Sequence, residues 1–294
     1  GKSYAVGAPS ISTSARNGYV SIFNHNKNSI TRFGDEIYGN AERDYLGNSV
    51  SVSENGKVIA VGASGQYQDE SVSRVMVYEK TIDGLVQIGE DILKPSTYTN
   101  SGFGTIVELS ADGSLLAISA PFLYNSNYGA VYIYQRNGNS WVRLGNTITG
   151  TYGSRTGSSL SFSKDGTILA VGSGGNSGGV SEDQYTGYTT VYKYNNTNTT
   201  WETLGERING EAEWDFSGSS VHLSADGTIL AIGAIGNDGE TTSGGHGHVR
   251  VFKYNNSTWE QKGADVDGDP DFNIDFGGVV KLSKDGNTFI VSDI

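Results

Sequence analysis

The stretch SADGTILAIGA, residues 224–234, joins a polar turn to a run of apolar and small residues. Asp-Gly and Asn-Gly pairs accept the positive φ of a tight hairpin turn, and the alternation that follows is typical of a strand with one buried face. Nearly the same stretch begins at four other serines: Ser53, Ser110, Ser163 and Ser283. The chain is therefore built from a repeated unit, and that unit decides the fold.

Two glycines keep a constant spacing in every unit. The turn glycine recurs at intervals of 57, 53, 61 and 59 residues, and a second glycine lies nine residues before each of them. The turn glycines are Gly56, Gly113, Gly166, Gly227 and Gly286, and the upstream glycines are Gly47, Gly104, Gly157, Gly218 and Gly277. Because both glycines shift together through the insertions, they belong to one structural unit.

Each unit contains four short alternating runs, which predict four antiparallel strands, A to D. Identical units favour the blades of a propeller over a β-sandwich. We predict an all-β chain that forms one β-propeller domain over residues 1–294, with five four-stranded blades and with both termini sharing one blade. Since one strand B is then redundant, we expect a segment of a longer repeat protein. The predicted repeat units are residues 38–92, 93–148, 149–208, 209–275, and 1–37 joined with 276–294.

The composition restricts the partners and the chemistry. The chain has 42 Gly but only 4 Pro, which suits short strands and tight turns. Its net charge of −12 would repel a phosphate backbone, so we expect no nucleic-acid partner. Without cysteine it has no disulfide and no thiolate nucleophile. No apolar run is long enough to span a bilayer, and we expect no direct membrane insertion.

Short sequence words within the units resemble FG-GAP repeats. Phe103-Gly104 opens an F-G-x-x-V word, Gly7-Ala8-Pro9 and Ser119-Ala120-Pro121 close strand B, and a G-x-V-x-V-F/Y word opens strand C. FG-GAP repeats build the propeller of integrin α chains and of many secreted proteins, so the resemblance implies an extracellular or cell-surface location. The calcium loops of that family do not carry over, because the Ser-x-Asp/Asn-Gly turns here contain too few carboxylates.

Long, divergent connections predict where a ligand binds. In a propeller the B–C and D–A connections lie on one face, and here they are long and different in every unit. Trp141, Trp201 and Trp259 recur at one position of strand D and are interpreted as packing between blades. Trp214 breaks this pattern and is either a binding residue or local packing. The predicted ligand-binding residues are Tyr67, Glu70, Tyr124, Tyr128, Asp183, Tyr185, Glu213, Trp214 and Asp215.

An acidic stretch, DVDGDPDFNID, is the candidate metal site. Its carboxylates alternate as Ca²⁺ ligands often do, although the EF-hand spacing and closing Glu are missing. The alternative is a solvated loop whose Asp side chains cap their own turns. We expect no required cofactor, with Ca²⁺ as the one candidate ion. The residues concerned are Asp265, Asp267, Asp269, Asp271 and Asp275.

The sequence contains glycosylation sequons but no recognisable catalytic motif. Four sequons in two C–D turns, at Asn195, Asn198, Asn255 and Asn256, would be modified only in a eukaryotic secretory context. The chain has four His but no nucleophile elbow, and its Gly-rich segment 172–179 lacks the Lys and the helix of a phosphate loop. The sequence therefore predicts a protein that is not an enzyme.

Three functions remain open at this point. The favoured one is a non-catalytic recognition or adhesion module that binds a glycan or protein through the B–C/D–A face. The second is a structural subunit, a propeller that assembles with copies of itself in an extracellular filament or surface array. The third and least favoured is a hydrolase that uses acids on the same face.

Overall fold

The computed structural model describes residues 2–9, 17–40, 44–65, 73–95, 101–122, 128–175, 185–237, 245–269 and 275–292. These residues form antiparallel sheets, and no helix occurs among them. The chain divides into two compact units: Gly1–Asn125 with Val131–Thr147, and Ser126–Ala130 with Ile148–Ile294. Each unit is described by itself.

The first unit contains three sheets, which follow one another along the chain. The first has strand order β1-β2-β3 with β4 paired to β2, the second has order β5-β6-β7-β8 with β9 paired to β7, and the third has order β10-β11-β12-β13. The strands are β1 (Lys2–Ala8), β2 (Tyr19–Asn26), β3 (Ser29–Arg32), β4 (Ile37–Tyr38), β5 (Leu46–Val52), β6 (Val58–Ala63), β7 (Arg74–Thr81), β8 (Gly84–Gln87), β9 (Ile92–Leu93), β10 (Val107–Leu109), β11 (Leu115–Ala120), β12 (Ala130–Asn137) and β13 (Ser140–Arg143).

The second unit repeats the pattern. One sheet has order β15-β16-β17-β18 with β19 paired to β17, another has order β20-β21-β22-β23 with β24 paired to β22, and β25 pairs with β26. The strands are β14 (Ile148–Thr149), β15 (Ser159–Phe162), β16 (Ile168–Ser173), β17 (Tyr188–Asn195), β18 (Thr200–Thr203), β19 (Ile208–Asn209), β20 (Ser217–Leu223), β21 (Ile229–Ala234), β22 (His248–Asn255), β23 (Thr258–Gln261), β24 (Val266–Asp267), β25 (Val279–Leu282) and β26 (Phe289–Ser292).

A fifth short strand follows the predicted strand D, so the sheets that begin with β5, β15 and β20 have five strands where four are predicted. β18 pairs with the end of β17, at Tyr192–Asn195, whereas β19 pairs with its beginning, at Tyr188–Thr189. Gly205 lies between them with φ 79°, a left-handed conformation that interrupts the ladder. The short strand β19 returns the chain to the start of strand C, which positions the site described below.

The Ser-x-Asp-Gly turns close the A–B hairpins through their own side chains. Ser224 Oγ donates to Asp226 Oδ1 at 2.6 Å and accepts the N–H of Ile229 at 2.9 Å, while Asp226 Oδ1 accepts the N–H of Thr228 at 3.0 Å. Gly227 N–H donates to Ser224 O at 2.9 Å, with φ 72° at the glycine. The equivalent bonds recur at Ser53, Ser110, Ser163 and Ser283. These carboxylates therefore serve the turn, as the sequence predicts.

Glycines also let neighbouring sheets approach closely. A Cβ on Gly233 would lie 2.0 Å from Gly277 O, and a Cβ on Gly172 would lie 2.1 Å from Gly218 O. In the first unit, a Cβ on Gly62 would likewise lie 2.2 Å from Gly104 O. At Gly62, Gly172 and Gly233 a side chain would therefore collide with the upstream glycine of the next repeat unit.

Apolar side chains fill the space between consecutive sheets. In the second unit, Val191 of β17 and Leu230 of β21 belong to one buried cluster, against which Trp259 packs. Trp259 Nε1 donates to Leu204 O at 2.8 Å, so this tryptophan joins two sheets, as predicted. The last hairpin packs through Val280 on the next buried cluster. The single domain, the number of blades and their closure by the two ends stay predictions.

Candidate functional site

A polar cleft of about 580 Å³ opens in the second unit. The end of β16, the segment before β17 and the loop after β19 supply its walls, because the returning strand β19 brings that loop beside the start of β17. Hydroxyl, amide, guanidinium and carboxylate groups all face it. The lining side chains include Thr151, Ser154, Ser173, Tyr185, Tyr188, Arg207, Asn209, Glu211 and Glu213.

Hydroxyl groups form a hydrogen-bonded row along one wall of the cleft. Thr156 Oγ1 lies 2.7 Å from Ser173 Oγ, 3.1 Å from Ser154 Oγ and 3.3 Å from the Tyr188 phenol oxygen. Burial opposes ionisation of the Tyr188 phenol, but hydrogen bonds with Ser154 and Thr156 outweigh it and lower its pKa. The guanidinium of Arg207 lies 4.5 Å from the centre of the Tyr188 ring. This cation–π contact orients a positive charge at the cleft.

Two aromatic rings stack beside the cleft. Tyr185 and Trp214 lie 4.0 Å apart with an interplanar angle of 13°, and Phe216 meets Tyr185 edge-on. Trp214 is 51% exposed, and its φ of 73° is unusual for a residue with a large side chain. The structure therefore gives Trp214 a local packing partner and also leaves half of it open to solvent.

A carboxylate–imidazole cluster lies at the margin of the cleft. His248 is the first residue of β22, Asp265 precedes β24, and Glu211 follows β19. His248 Nδ1 lies 3.7 Å from Asp265 Oδ2 and 3.8 Å from Glu211 Oε2. One ligand atom from each residue lies within 4.8 Å of the others, so the three side chains could hold a metal ion.

Burial and neighbouring charges shift the pKa values in this cluster. Burial, followed by the charge of Arg250, lowers the pKa of the His248 imidazole, which is 1% exposed. Burial raises the pKa of the Glu211 carboxyl; Arg250 opposes this shift, and the nearby Asp265 and Asp215 reinforce it. Arg250 Nη1 lies 3.4 Å from Glu211 Oε1.

Some of the residues predicted to bind a ligand are close to this site. Tyr185 and Glu213 line the cleft, Trp214 stacks on Tyr185, and Tyr128 packs edge-on against Tyr152 at 5.8 Å. Asp215 does not fit the predicted role. It is 1% exposed, and its Oδ2 accepts the N–H groups of Glu211 and Ala212 at 2.9 Å, so the carboxylate holds its own loop. Tyr67, Glu70, Tyr124 and Asp183 lie outside the described residues.

The predicted calcium stretch is only partly described, because Asp271 lies outside the described residues. The structure brings Asp265 together with Glu211 and His248, whereas no group of three metal-binding side chains involves the other described acids of the stretch, Asp267, Asp269 and Asp275. Glu211 and His248 were not among the residues predicted to bind a metal ion. Alignment of the repeat units could have found them, because His248 occupies the position at which an earlier unit has Arg74.

The asparagines of the four sequons lie in or beside the turns that follow strand C. Asn198 is exposed, and Asn195 Nδ2 donates to Glu202 Oε2 at 3.1 Å. Asn255 and Asn256 are exposed, and Asn255 Nδ2 donates to Glu260 Oε2 at 3.2 Å. Glycosylation of these residues stays a prediction.

Comparison with known proteins identifies the fold. No protein-family model and no curated protein matches the chain. Among solved structures, the periplasmic gluconolactonase of Pseudomonas aeruginosa matches 99% of this chain and 76% of its own, with a TM-score of 0.63 and 18% identity. The chain has a β-propeller fold. The predicted all-β propeller is thereby confirmed.

Two further structures agree. A chain described as a 6-phosphogluconolactonase of Bacteroides fragilis has a TM-score of 0.56 and 14% identity, over 96% of this chain and 72% of that one. Another, from Bacteroides uniformis, has a TM-score of 0.54 and 15% identity, over 88% and 70%.

These matches correct several predictions. The FG-GAP and integrin-like resemblance is wrong, because the matching propellers are described as lactonases and no family model supports it. The same finding overturns the adhesion module, the structural subunit and the absence of enzymatic activity, since lactonases are hydrolytic enzymes. No helix of the described residues is long and apolar enough to cross a membrane.

Proposed function

We propose that this chain is a hydrolase that opens the ring of a sugar-acid lactone in the cleft of the second unit. The three matching structures, described as a gluconolactonase and two 6-phosphogluconolactonases, support the reaction class. Because one fold hosts many functions, the proposal also needs support from the site itself. The observation that carries it is a single concave cleft in which Arg207 and Glu213 both line the wall.

The cleft suits a small polyhydroxylated substrate. Its volume of about 580 Å³ lies within the range of roughly 300–1,000 Å³ that is typical of small-molecule sites. Hydroxyl and amide groups on the walls, such as Ser173 and Asn209, can exchange hydrogen bonds with the hydroxyls of a sugar acid. The half-buried ring of Tyr185 lines the cleft and gives one apolar surface that a sugar ring can contact.

Two of the charged side chains in the cleft take one role each. Glu213 acts as general base and takes a proton from the water that attacks the lactone carbonyl carbon. Arg207 stabilises the negative charge that develops on the carbonyl oxygen in the tetrahedral intermediate. The bond between the carbonyl carbon and the ring oxygen then breaks, and Glu213 returns its proton to that oxygen. One water is consumed, and the product is an open-chain hydroxy acid.

The test measures acid release in a pH-stat, with gluconolactone and its 6-phosphorylated form as substrates and spontaneous hydrolysis subtracted. We expect Arg207→Met and Glu213→Gln each to lower kcat/KM by about 100-fold, the loss typical of an oxyanion donor or a general base. Arg143→Met is the matched control, because Arg143 also lies over a tyrosine ring, 4.7 Å from Tyr132, but does not line this cleft. A wild-type rate equal to spontaneous hydrolysis with both substrates would refute the proposal, as would full activity of both cleft variants.

The location of the protein is also a proposal. We propose an extracellular or periplasmic location, which is supported by the periplasmic location of one matching structure. Fractionation of the native cells tests this, and recovery in the cytosolic fraction would contradict it. The predicted partners, a glycan or protein ligand or copies of the chain itself, stay untested predictions.

A further inference from the structure

Two repeat units place polar side chains at the same four positions. In the first unit, Arg74 begins β7 and Asp91 precedes β9; in the second, His248 begins β22 and Asp265 precedes β24. The strand registers match, since Arg74 faces Leu93 and His248 faces Asp267 at the second residue of the short strand. Asn40 and Asp44 of the loop before β5 correspond to Glu211 and Asp215 of the loop before β20.

In the first set, a buried arginine is paired with carboxylates on two sides. Arg74 Nη2 donates to Asp44 Oδ2 at 2.9 Å and to Asn40 Oδ1 at 2.6 Å, and Arg74 Nε lies 3.2 Å from Asp91 Oδ2. One buried guanidinium thus joins two carboxylates and an amide. Because each partner is within hydrogen-bonding or ion-pairing distance, this set needs no added ion.

The second set lacks the guanidinium. Its place is taken by His248, which is 1% exposed and has no hydrogen-bond partner among the described residues at Nδ1 or at Nε2. The neutral amide of Asn40 is replaced by the carboxylate of Glu211, which adds a negative charge. Arg250 Nη1 lies 3.4 Å from Glu211 Oε1, and Arg250 Nη2 donates to Asn209 O at 2.7 Å. Buried polar atoms without partners are costly, so a missing partner is expected here.

The distances between the imidazole nitrogen and the two carboxylates suit a shared metal ion better than hydrogen bonds. Nδ1 of His248 lies 3.7 and 3.8 Å from the two carboxylate oxygens, which is too long for a hydrogen bond. Two atoms bound to one ion at about 2.1 Å each are themselves roughly 3 to 4 Å apart. Glu211 and Asp265 are also partly open to solvent, so an ion can enter from the cleft side.

We infer that Glu211, His248 and Asp265 form a binding site for a first-row divalent cation of the Zn²⁺ type. One imidazole with two carboxylates is a ligand set that zinc accepts, with remaining positions open to water, whereas Ca²⁺ prefers six to eight oxygen ligands. The site differs from the acidic stretch predicted from the sequence, since it uses only Asp265 from that stretch. It does not depend on the proposed lactone hydrolysis.

The internal repeat supplies the decisive variant. His248→Arg copies Arg74, so it should replace the ion with a guanidinium while the fold is kept. Zinc sulfate is titrated calorimetrically into the full chain after chelator treatment, and thermal unfolding is followed with and without zinc. We expect one equivalent of zinc to bind wild type and to raise its unfolding temperature, because a ligand of the folded state stabilises it. Affinity should fall by about 100-fold in His248→Arg and at least about 10-fold in Glu211→Gln.

Two controls separate this site from adventitious binding. His25→Gln removes a histidine that contacts Tyr4 elsewhere in the chain and should leave the zinc affinity unchanged. A large excess of Ca²⁺ should not displace zinc. Failure of wild type to bind zinc, unchanged affinity in His248→Arg, or displacement by an equal concentration of Ca²⁺ would each overturn the assignment. None of these readouts uses catalysis, so the outcome is independent of the hydrolase proposal.

Discussion

The turn glycines give the sharpest test of how the repeat units pack. Gly113 has φ 75°, and a Cβ added to it would lie 2.8 Å from Val58 Cβ and 2.7 Å from Val58 Cγ2. Val58 is buried and β-branched, so it cannot rotate away from this contact. Gly138 has φ 60° and nothing within 4 Å of its added Cβ. Both glycines lie in the first unit, which makes them a matched pair.

The two alanine variants should differ in free energy of unfolding by the cost of the contact with Val58. An alanine at either position carries the left-handed strain of about 1 to 2 kcal/mol. Gly113→Ala adds overpacking against Val58, for which about 1 to 3 kcal/mol is typical. We therefore expect Gly113→Ala to lower the free energy of unfolding by roughly 2 to 5 kcal/mol and Gly138→Ala by roughly 1 to 2.

Urea unfolding followed by far-ultraviolet circular dichroism measures both variants. Val58→Ala in the Gly113→Ala background should recover part of the loss, which a double-mutant cycle quantifies. Equal losses for the two glycine variants would refute the reasoning, because the close approach to Val58 would then contribute nothing.

Three further predictions concern pH and exposed packing. The hydrogen bond from Ser283 lowers the pKa of the Asp285 carboxyl to about 2. The ionised carboxylate therefore stabilises the folded chain above pH 4, and this stabilisation is lost as the pH falls towards 2. In Asp285→Asn the urea midpoint should depend less on pH over that range. Burial lowers the pKa of His222 to about 4, so stability should fall from pH 6.5 to 4 as the unfolded chain takes up a proton; an unchanged slope in His222→Gln would contradict this. Trp214→Ala removes an exposed stack on Tyr185 and should cost about 1.5 kcal/mol or less in urea unfolding, whereas a loss typical of a core aromatic, about 3 to 5 kcal/mol, would show that the ring is structural.

The repeat words that suggested the wrong family have a physical explanation in the packing. The glycine that ends strand B faces a carbonyl oxygen of the next repeat unit, as Gly7 faces Gly47 O with an added Cβ at 2.0 Å. Any pair of sheets packed this closely needs glycine at both positions. These words therefore indicate how neighbouring blades touch, and they do not identify FG-GAP repeats.

The A–B hairpins were predictable because their interactions are local. Ser163, Asp165 and Gly166 lie within four residues, and the bonds that close their turn join side-chain and backbone groups of neighbouring residues. The fifth strand was not predictable in the same way. The left-handed conformation of Gly205 has meaning only once both β18 and β19 pair with β17.

By itself the sequence determined the repeat, the strands and the propeller, because hydrophobic alternation and turn chemistry act over a few residues. Only the tertiary structure decided where charged groups meet. Glu211, His248 and Asp265 are separated by 37 and 17 residues along the chain. They come together because β24 pairs with the start of β22 and the loop after β19 lies beside it. Whether a histidine in a strand is buried among carboxylates depends on those distant pairings, which alternation within a strand does not specify.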